Sequence, residues 1–434
     1  MNLRLTFTIL TTRIVSFLLK ILNKGSGTAL PGLIAQKIYP NALEALAKQI
    51  DRIIVISGTN GKTTTQTLLG SILQESGIKI IQNKSGSNMK RGLLSILMKK
   101  ASLFGKIKEK AAIFEIEEAT LPKIIDSLKP EIIIVTNLFR DQLDAYGEVD
   151  RTQKFIREAI ELSPQATLIL NGDDPRVSRL SENLKNKTIY YGLDSKFQIG
   201  FKYEGQISAI NNSNIIKAHE VVISQKLETE FKVGKKTYKI QPLGKFQVYN
   251  ALAAILASNE IGITEDSITN GLANAKPAFG RGEVIEKNGI SYKTLLVKNP
   301  AGMNLTLNVF KEISTHPVLM FILNDNLADG RDVSWIWDSD FEVLNQTRPK
   351  LILVSGERAE DMLLRIKYAV GPLTKISKGY YKYSHGEIIM NKDLNKIETE
   401  LKSRIKEELI FVLPTYTAML SFRKYLLGNA INEQ

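Results

Sequence analysis

The segment 52–64, RIIVISGTNGKTT, limits what this chain can fold into more than any other stretch. Its apolar half has the length and β-branched content of a strand buried on both faces, and it ends abruptly at glycine. Gly58, Thr59, Asn60, Gly61, Lys62, Thr63 and Thr64 then open a segment with helical character that runs to Glu75. Strand, glycine-rich turn and helix in that order are the context of a phosphate-binding loop. The glycines let backbone N–H groups approach phosphate oxygens, and the helix N-terminus adds partial positive charge. A lysine at position 62 can reach β- and γ-phosphates, and the Thr63 hydroxyl can ligate Mg²⁺. The strict G-x-x-x-x-G-K-[ST] string is not met, because Ile56 holds the first glycine position. Nucleotide phosphate binding is the expected role, and an ordinary glycine-rich turn is the alternative.

Similar short apolar runs recur at 78–82, 111–116, 132–137 and 167–171, separated by helical segments, as in a parallel sheet covered on both faces. From 190 to 240 the texture becomes short β-like pieces rich in Asn, Gly and Lys. Helix resumes over 248–257, and PAFGR at 277–281 has the character of a hinge. A second α/β unit follows, with strands expected at 294–297, 318–323, 351–356 and 409–414. The expected fold class is α/β, a P-loop ATP-binding domain followed by a Rossmann-like α/β domain. The expected divisions are 1–45 (amphipathic helix and loop), 46–285 (with a β-rich excursion at about 194–240) and 286–434.

Residues 3–22 are apolar but interrupted by Arg4, Arg13 and Lys20, and a charge near mid-bilayer costs ~3 kcal/mol. Thr12, Ser16, Lys20 and Asn23 recur at helical spacing, which favours an amphipathic helix over a membrane span. Two readings stand: a helix packed on its own domain, or one lying against anionic headgroups. KGSGTALPG at 24–32 is expected to be a glycine-rich loop without a cleavage signal. The chain is therefore expected to be cytoplasmic, with a peripheral position at the inner face of the membrane as the second reading.

The formal charge of +13 suits an anionic partner. There is no cysteine, which removes disulfides, thiolate zinc sites and cysteine nucleophiles, and only three histidines, at 219, 316 and 385. No nucleic-acid-binding motif accompanies the basic charge, so no nucleic-acid partner is expected.

Several strings carry a family resemblance. GTNGKTT resembles the ATP loop of the Mur ligases, TNLFRDQLDAYGE (136–148) and NGDDP (171–175) resemble central-domain segments of theirs, and GKFQVYNALAA (244–254) their Asn-bearing helix. FGRGE (279–283) is similar to the string before their C-terminal domain. KNPAGMN (298–304), LNDNLADGRDVSWIWD (323–338) and LPTYT (413–417) narrow the resemblance to the MurT-type subunits of lipid II isoglutaminyl synthase.

The resemblance implies an ATP-dependent carbon–nitrogen ligase of peptidoglycan synthesis. Its members activate the α-carboxylate of D-glutamate in the lipid II stem peptide as an acyl phosphate, which ammonia converts to D-isoglutamine. The ammonia comes from glutamine hydrolysed by a separate GatD-type glutaminase in a heterodimer, and a chain without cysteine suits the ligase half. By the same resemblance Gly58–Thr64 hold ATP, Glu115 with Thr63 binds Mg²⁺, Asn250 faces adenine, and Arg281 reaches the nucleotide. Asn83, Gly86 and Asn88 match a substrate-side loop. Asp332 is implied to complete the glutaminase triad across the interface by orienting the partner's histidine, with Asp338 as runner-up. The family commonly inserts a four-cysteine zinc ribbon in the region of 194–230; no cysteine stands there, and no zinc is expected. Gln142 replaces a metal-binding His of other Mur ligases, and Gln247 replaces the first Asn of their Asn-bearing helix. Another Mur-fold ligase, adding an amino acid or glutamate to a carboxylate, remains the alternative activity.

Overall fold

The computed structural model describes residues 3–21, 29–83, 87–139, 148–198, 214–224, 227–277, 280–313, 316–405 and 409–428. Among these, two sheets organise the chain. The first contains β1 (Arg52–Ser57), β2 (Ile80–Gln82), β3 (Ala111–Glu115), β4 (Ile132–Val135), β5 (Thr167–Asn171), β6 (Thr188–Leu193), β7 (Ile215–Ile223), β8 (Thr229–Val233) and β9 (Lys236–Ile240). Their spatial order is β2-β3-β1-β4-β5-β6-β7-β8-β9. Pairing is parallel from β2 through β7 and antiparallel from β7 to β9. The β-like pieces after 190 thus extend the first sheet rather than standing apart from it.

β1 lies between β3 and β4, where the strand order reverses direction, so its C-terminal end opens at a topological switch point. Both faces of β1 are apolar for a physical reason. Ile53 and Val55 join the core under the N-terminal helices, while Ile54 and Ile56 join the opposite core under the helices Lys62–Glu75 and Lys245–Glu260. Each such fully buried aliphatic side chain contributes ~1.5–3 kcal/mol.

The second sheet holds β10 (Arg281–Lys287), β11 (Ile290–Leu295), β12 (Val318–Ile322), β13 (Leu351–Ser355), β14 (Thr374–Ser377), β15 (Tyr380–Tyr383), β16 (Gly386–Met390) and β17 (Leu409–Pro414), in the order β10-β11-β17-β12-β13-β16-β15-β14. Its centre is parallel, and β12 again divides its side chains: Leu319 and Phe321 face one core, Val318, Met320 and Ile322 the other.

The 3–22 segment forms a helix, Leu3–Ile21, but its faces are disposed unexpectedly. Thr8 and Thr12 are buried with Leu5 and Ile9, and their hydroxyls donate to carbonyls one turn back. The bulkier apolar residues point outward. Of the loop expected at 24–32, residues 24–28 lie outside the described residues, and residues 29–32 are helical instead. A helix, Ala29–Ile38, begins within it, with Pro31 in the first turn where its missing N–H costs nothing. No helix of the described residues is long and apolar enough to cross a membrane.

Candidate active site

The loop after β1 is held in shape by glycine and by neighbouring amides. Gly58 has φ +120° and Gly61 φ +90°, backbone states that side chains rarely adopt. A Cβ on Gly61 would lie 2.2 Å from Asn250 Oδ1, so any side chain there would have to displace that amide. The Thr59 N–H donates to the Asn137 carbonyl (2.9 Å) and the Asn60 N–H to Asn137 Oδ1 (2.9 Å). Thr136 Oγ1 and Asn137 Nδ2 donate back to the Asn60 carbonyl at 2.7 and 2.8 Å. Thr136 and Asn137, the first two residues of TNLFRDQLDAYGE, thus clamp the loop, a role the motif alone does not reveal. Polar residues directly following a buried strand were the available signal.

Gly61 is also the N-cap of the 62–75 helix and supplies no side chain to its first-turn N–H groups. Those donors and the helix dipole are therefore free of a competing cap, which suits an anion. Lys62 Nζ donates to the Gly58 carbonyl and, at 3.3 Å, to that of Thr59. It also forms an ion pair with Glu118 (2.9 Å) in which both side chains are mostly buried. Burial, reinforced by the adjacent Glu118 charge, raises the Glu117 pKa above the usual carboxylate range. Thr64 is buried in the helix's first turn.

Glu115 ends β3 opposite Ile56 in register. Its Oε2 accepts from Thr63 Oγ1 at 2.7 Å, and both residues are buried. A hydroxyl and a carboxylate meeting at a helix N-terminus fit a hard cation that takes its remaining ligands from phosphate and water. A second observation supports a ligand here. The buried Asn60 Nδ2 has no hydrogen-bond partner among the described residues. An unmatched amide donor at the mouth of such a loop costs ~1–3 kcal/mol unless an acceptor arrives.

Asn83 braces this corner: its Oδ1 accepts from the Glu115 N–H (2.9 Å) and its Nδ2 donates to the Glu115 carbonyl (2.8 Å). Asn88 accepts at its carbonyl from the Glu117 N–H (3.1 Å). Gly86 and Gln142 lie outside the described residues. Asn250 is buried against the loop's inner side, receiving a long hydrogen bond from Thr65 Oγ1 (3.4 Å) and donating to Gln247 Oε1 (2.8 Å). Arg281, half-buried at the start of β10, lies near enough to feel the Glu115 charge. Burial depresses its pKa, and the Glu115 charge opposes that shift. Asn299 Nδ2 approaches Asn60 Oδ1 at 3.4 Å, so the second sheet's leading helix (Pro300–Glu312) also reaches the loop. Sequence reasoning had not singled out Asn299.

The acidic residues of NGDDP serve the scaffold. Asp174 accepts from the N–H groups of Leu138, Arg176 and Val177, while Asp173 accepts from Tyr249 Oη and the Leu193 N–H. Among the described residues, no group of three or more His, Asp or Glu side chains is arranged to hold a metal ion by itself.

Asp332 is not gathered into this corner. It is exposed beside the second sheet, where its two oxygens accept from the Ser334 N–H and hydroxyl at 2.8 Å each. The hydroxyl, then the N–H, hold its carboxyl below the usual carboxylate range. Asp338 is also exposed, near Trp337. Asp325 and Asp329 have internal partners: Asp325 pairs with Arg358 (2.8 Å), and Asp329 accepts from the Thr417 N–H (2.7 Å) and hydroxyl (2.5 Å).

Comparison with known proteins places both halves of the chain. Residues 56–258 match the Mur ligase middle domain, and residues 296–419 match the MurT ligase C-terminal family. The chain is 36% identical to the lipid II isoglutaminyl synthase (glutamine-hydrolyzing) subunit MurT of Staphylococcus aureus, over 79% of this chain and 83% of that protein. It is 31% identical to the subunit of the same name from Streptococcus pneumoniae, over 99% of both. MurF from Acinetobacter baumannii shares the fold, with a TM-score of 0.67 at 16% identity, over 92% of this chain and 80% of that one. MurF ligase from Thermotoga maritima, solved in complex with ADP, superposes with a TM-score of 0.63 at 16% identity, over 91% and 82%. The parallel sheet with its phosphate-type loop, the second α/β sheet and these matches agree: the chain belongs to the MurT family of Mur-type ligases.

Proposed function

We propose that this chain is the ATP-consuming subunit of a lipid II isoglutaminyl synthase. The carrying observation is the corner where Thr63 of the Gly58–Thr64 loop meets Glu115, close enough to Arg281 for its charge to be felt there, in a chain related over nearly its whole length to a protein of that name. In the proposed reaction an oxygen of the D-glutamate α-carboxylate attacks the γ-phosphorus of ATP, and ADP leaves. Ammonia then attacks the acyl phosphate carbonyl, phosphate departs with the bonding pair, and loss of a proton leaves the amide.

Lys62 is assigned to charge developing on the transferred phosphoryl group, with the first-turn N–H groups of the 62–75 helix as its neighbours. Thr63 and Glu115 would hold Mg²⁺, which supplies charge neutralisation at the phosphates when bound. Arg281 would stabilise the same charge from the second sheet. Asn250 acts on the nucleotide site through Gly61, since its amide is occupied by Thr65 and Gln247. The adenine contact implied by the family finds no separate support in this arrangement. Asn83 and Asn88 position the substrate side, through Glu115 and Glu117.

The partner in this reading is a GatD-type glutaminase, and Asp332 orients its histidine. Exposure and a depressed carboxyl pKa support that role, because an interface acid must be accessible and charged. The substrate is membrane-borne, so the enzyme works at the cytoplasmic face. Amidation of lipid II by the purified pair, followed by mass spectrometry with and without ATP, tests the proposal. Turnover without ATP, or none in its presence, would overturn it.

A further inference from the structure

The Leu3–Ile21 helix carries an apolar stripe that its own protein does not cover. Leu3, Phe7, Leu10, Ile14, Phe17 and Ile21 recur every three or four residues and are each 48–70% exposed. Spacing of that kind lines one face of a helix. The opposite face, with Leu5, Thr8, Ile9 and Thr12, is the one packed inward. A helix that buries threonines and presents phenylalanines is inverted for an ordinary surface helix of a water-exposed domain. Two more large apolar side chains, Leu103 and Phe104, are exposed in the turn beside it. That turn is seated on the helix, since a Cβ on Gly105 would meet Leu5 and Arg13 donates to the Ala101 carbonyl.

Charge selects the occupant. Segments 1–50 and 87–110 contain thirteen of the 58 basic residues and only two of the 45 acidic ones, so eleven of the thirteen net positive charges belong to them. Their helices pack against one another. Lys99, Lys106 and Lys108, flanking the Leu103–Phe104 turn, are exposed and form no ion pair among the described residues. Bulky apolar side chains ringed by lysine fit the headgroup–acyl boundary of an anionic bilayer. A second copy of so basic a surface would be repelled by the first.

We propose that the exposed face of the Leu3–Ile21 helix and the Leu103–Phe104 turn form a membrane-docking surface for anionic lipid. The inference adds a built element to the reading of a membrane-borne substrate, on which its biological meaning rests. The geometry also ties docking to the active corner. The Lys90–Lys100 helix starts two residues after Asn88 and ends at the turn, a span of ~16 Å at 1.5 Å per residue.

The test is flotation of the full chain, with its partner subunit when the two co-purify, on vesicles of phosphatidylglycerol and phosphatidylcholine in equal parts, without ATP or substrate. The chain should bind these vesicles and leave pure phosphatidylcholine vesicles largely free. Phe7→Glu with Phe17→Glu should weaken binding at least about tenfold, and Lys99→Glu with Lys106→Glu should do so by a similar factor. The lysine pair guards against a folding artefact, since both side chains are exposed. Both variants should keep the parent's melting temperature and its mass by light scattering. Equal binding to both lipids, or unchanged binding of either variant, would overturn the proposal. So would a change in mass alone, which would assign the stripe to a second copy or to the partner subunit. Because the readout involves no turnover, its failure would leave the ligase assignment untouched, and failure of that assignment would leave vesicle binding intact.

Discussion

Lys62 and Gly61 show how narrowly the loop is specified. Lys62 lies among the Gly58 and Thr59 carbonyls and Glu118, at the helix N-terminus where phosphate charge would gather. Lys62→Ala is expected to lower lipid II amidation at least about 10²-fold, with glutamine or with free ammonia as donor, because both routes need the acyl phosphate. Circular dichroism should show the fold retained, and normal turnover would remove Lys62 from the reaction. Gly61→Ala tests the backbone. A positive φ costs an L-residue roughly 1–2 kcal/mol, and the new Cβ would also collide with the Asn250 amide. ADP affinity, measured by calorimetry, should fall about tenfold or more. Adding Asn250→Ala should recover part of that loss, since it relieves the collision but not the φ strain. Strict additivity of the two changes would show that the amide does not act on the loop.

The elements around the loop were legible in the sequence where burial is strongest. β1 and β5 coincide with the runs at 52–57 and 167–171, because strands buried on both faces read as unbroken apolar segments. β14 was missed, since TKIS at the sheet edge is exposed along its whole length and carries no core signal. β15, YYKY, is half-buried with Tyr383 in the core, but four residues interrupted by Lys382 do not read as an apolar run. The inverted faces of the Leu3–Ile21 helix were invisible for a related reason: periodicity shows that two faces differ, not which one meets protein. At the site, Lys62 and Thr63 could be named from the motif and Glu115 from the family resemblance, whereas Asn299 could not, because its role depends on how the second sheet meets the first. Asn299 accepts the Gly302 N–H (2.7 Å) as N-cap of the Pro300–Glu312 helix while its amide reaches Asn60. Asn299→Ala should cost ~1 kcal/mol as a lost cap. It should also raise the KM for ATP several-fold, which a cap in isolation would not do. Thermal melts and ATP titrations separate the two effects, and an unchanged KM would confine Asn299 to capping.

At the scale of the whole molecule, polar contacts that join the two sheets among the described residues include Asn60 with Asn299, Lys245 with Glu312 (2.9 Å), and the Lys293 ammonium on the Leu227 carbonyl (3.3 Å). The corner proposed for nucleotide chemistry lies where they meet, while Asp332 is exposed beside the second sheet, its carboxylate bonded to Ser334 of its own segment. That separation predicts that the two activities of the assembly can be uncoupled. An exposed aspartate is already ionised at neutral pH, and the Ser334 hydrogen bonds hold its carboxyl lower still, in the state an acid needs to fix a histidine tautomer and stabilise its imidazolium. Removing the acid of a comparable triad costs about 10⁴ in rate. Asp332→Asn should therefore lose nearly all glutamine-dependent amidation, yet amidate lipid II at close to the parent rate when ammonia is supplied at high pH. Lys62→Ala should fail under both conditions, and Asp338→Asn should remain active under both. An Asp332→Asn protein equally inactive with ammonia would move this residue into the ligase reaction. Full activity with glutamine would instead transfer the role to Asp338, or reduce the segment 330–335 to a packing loop around Trp335.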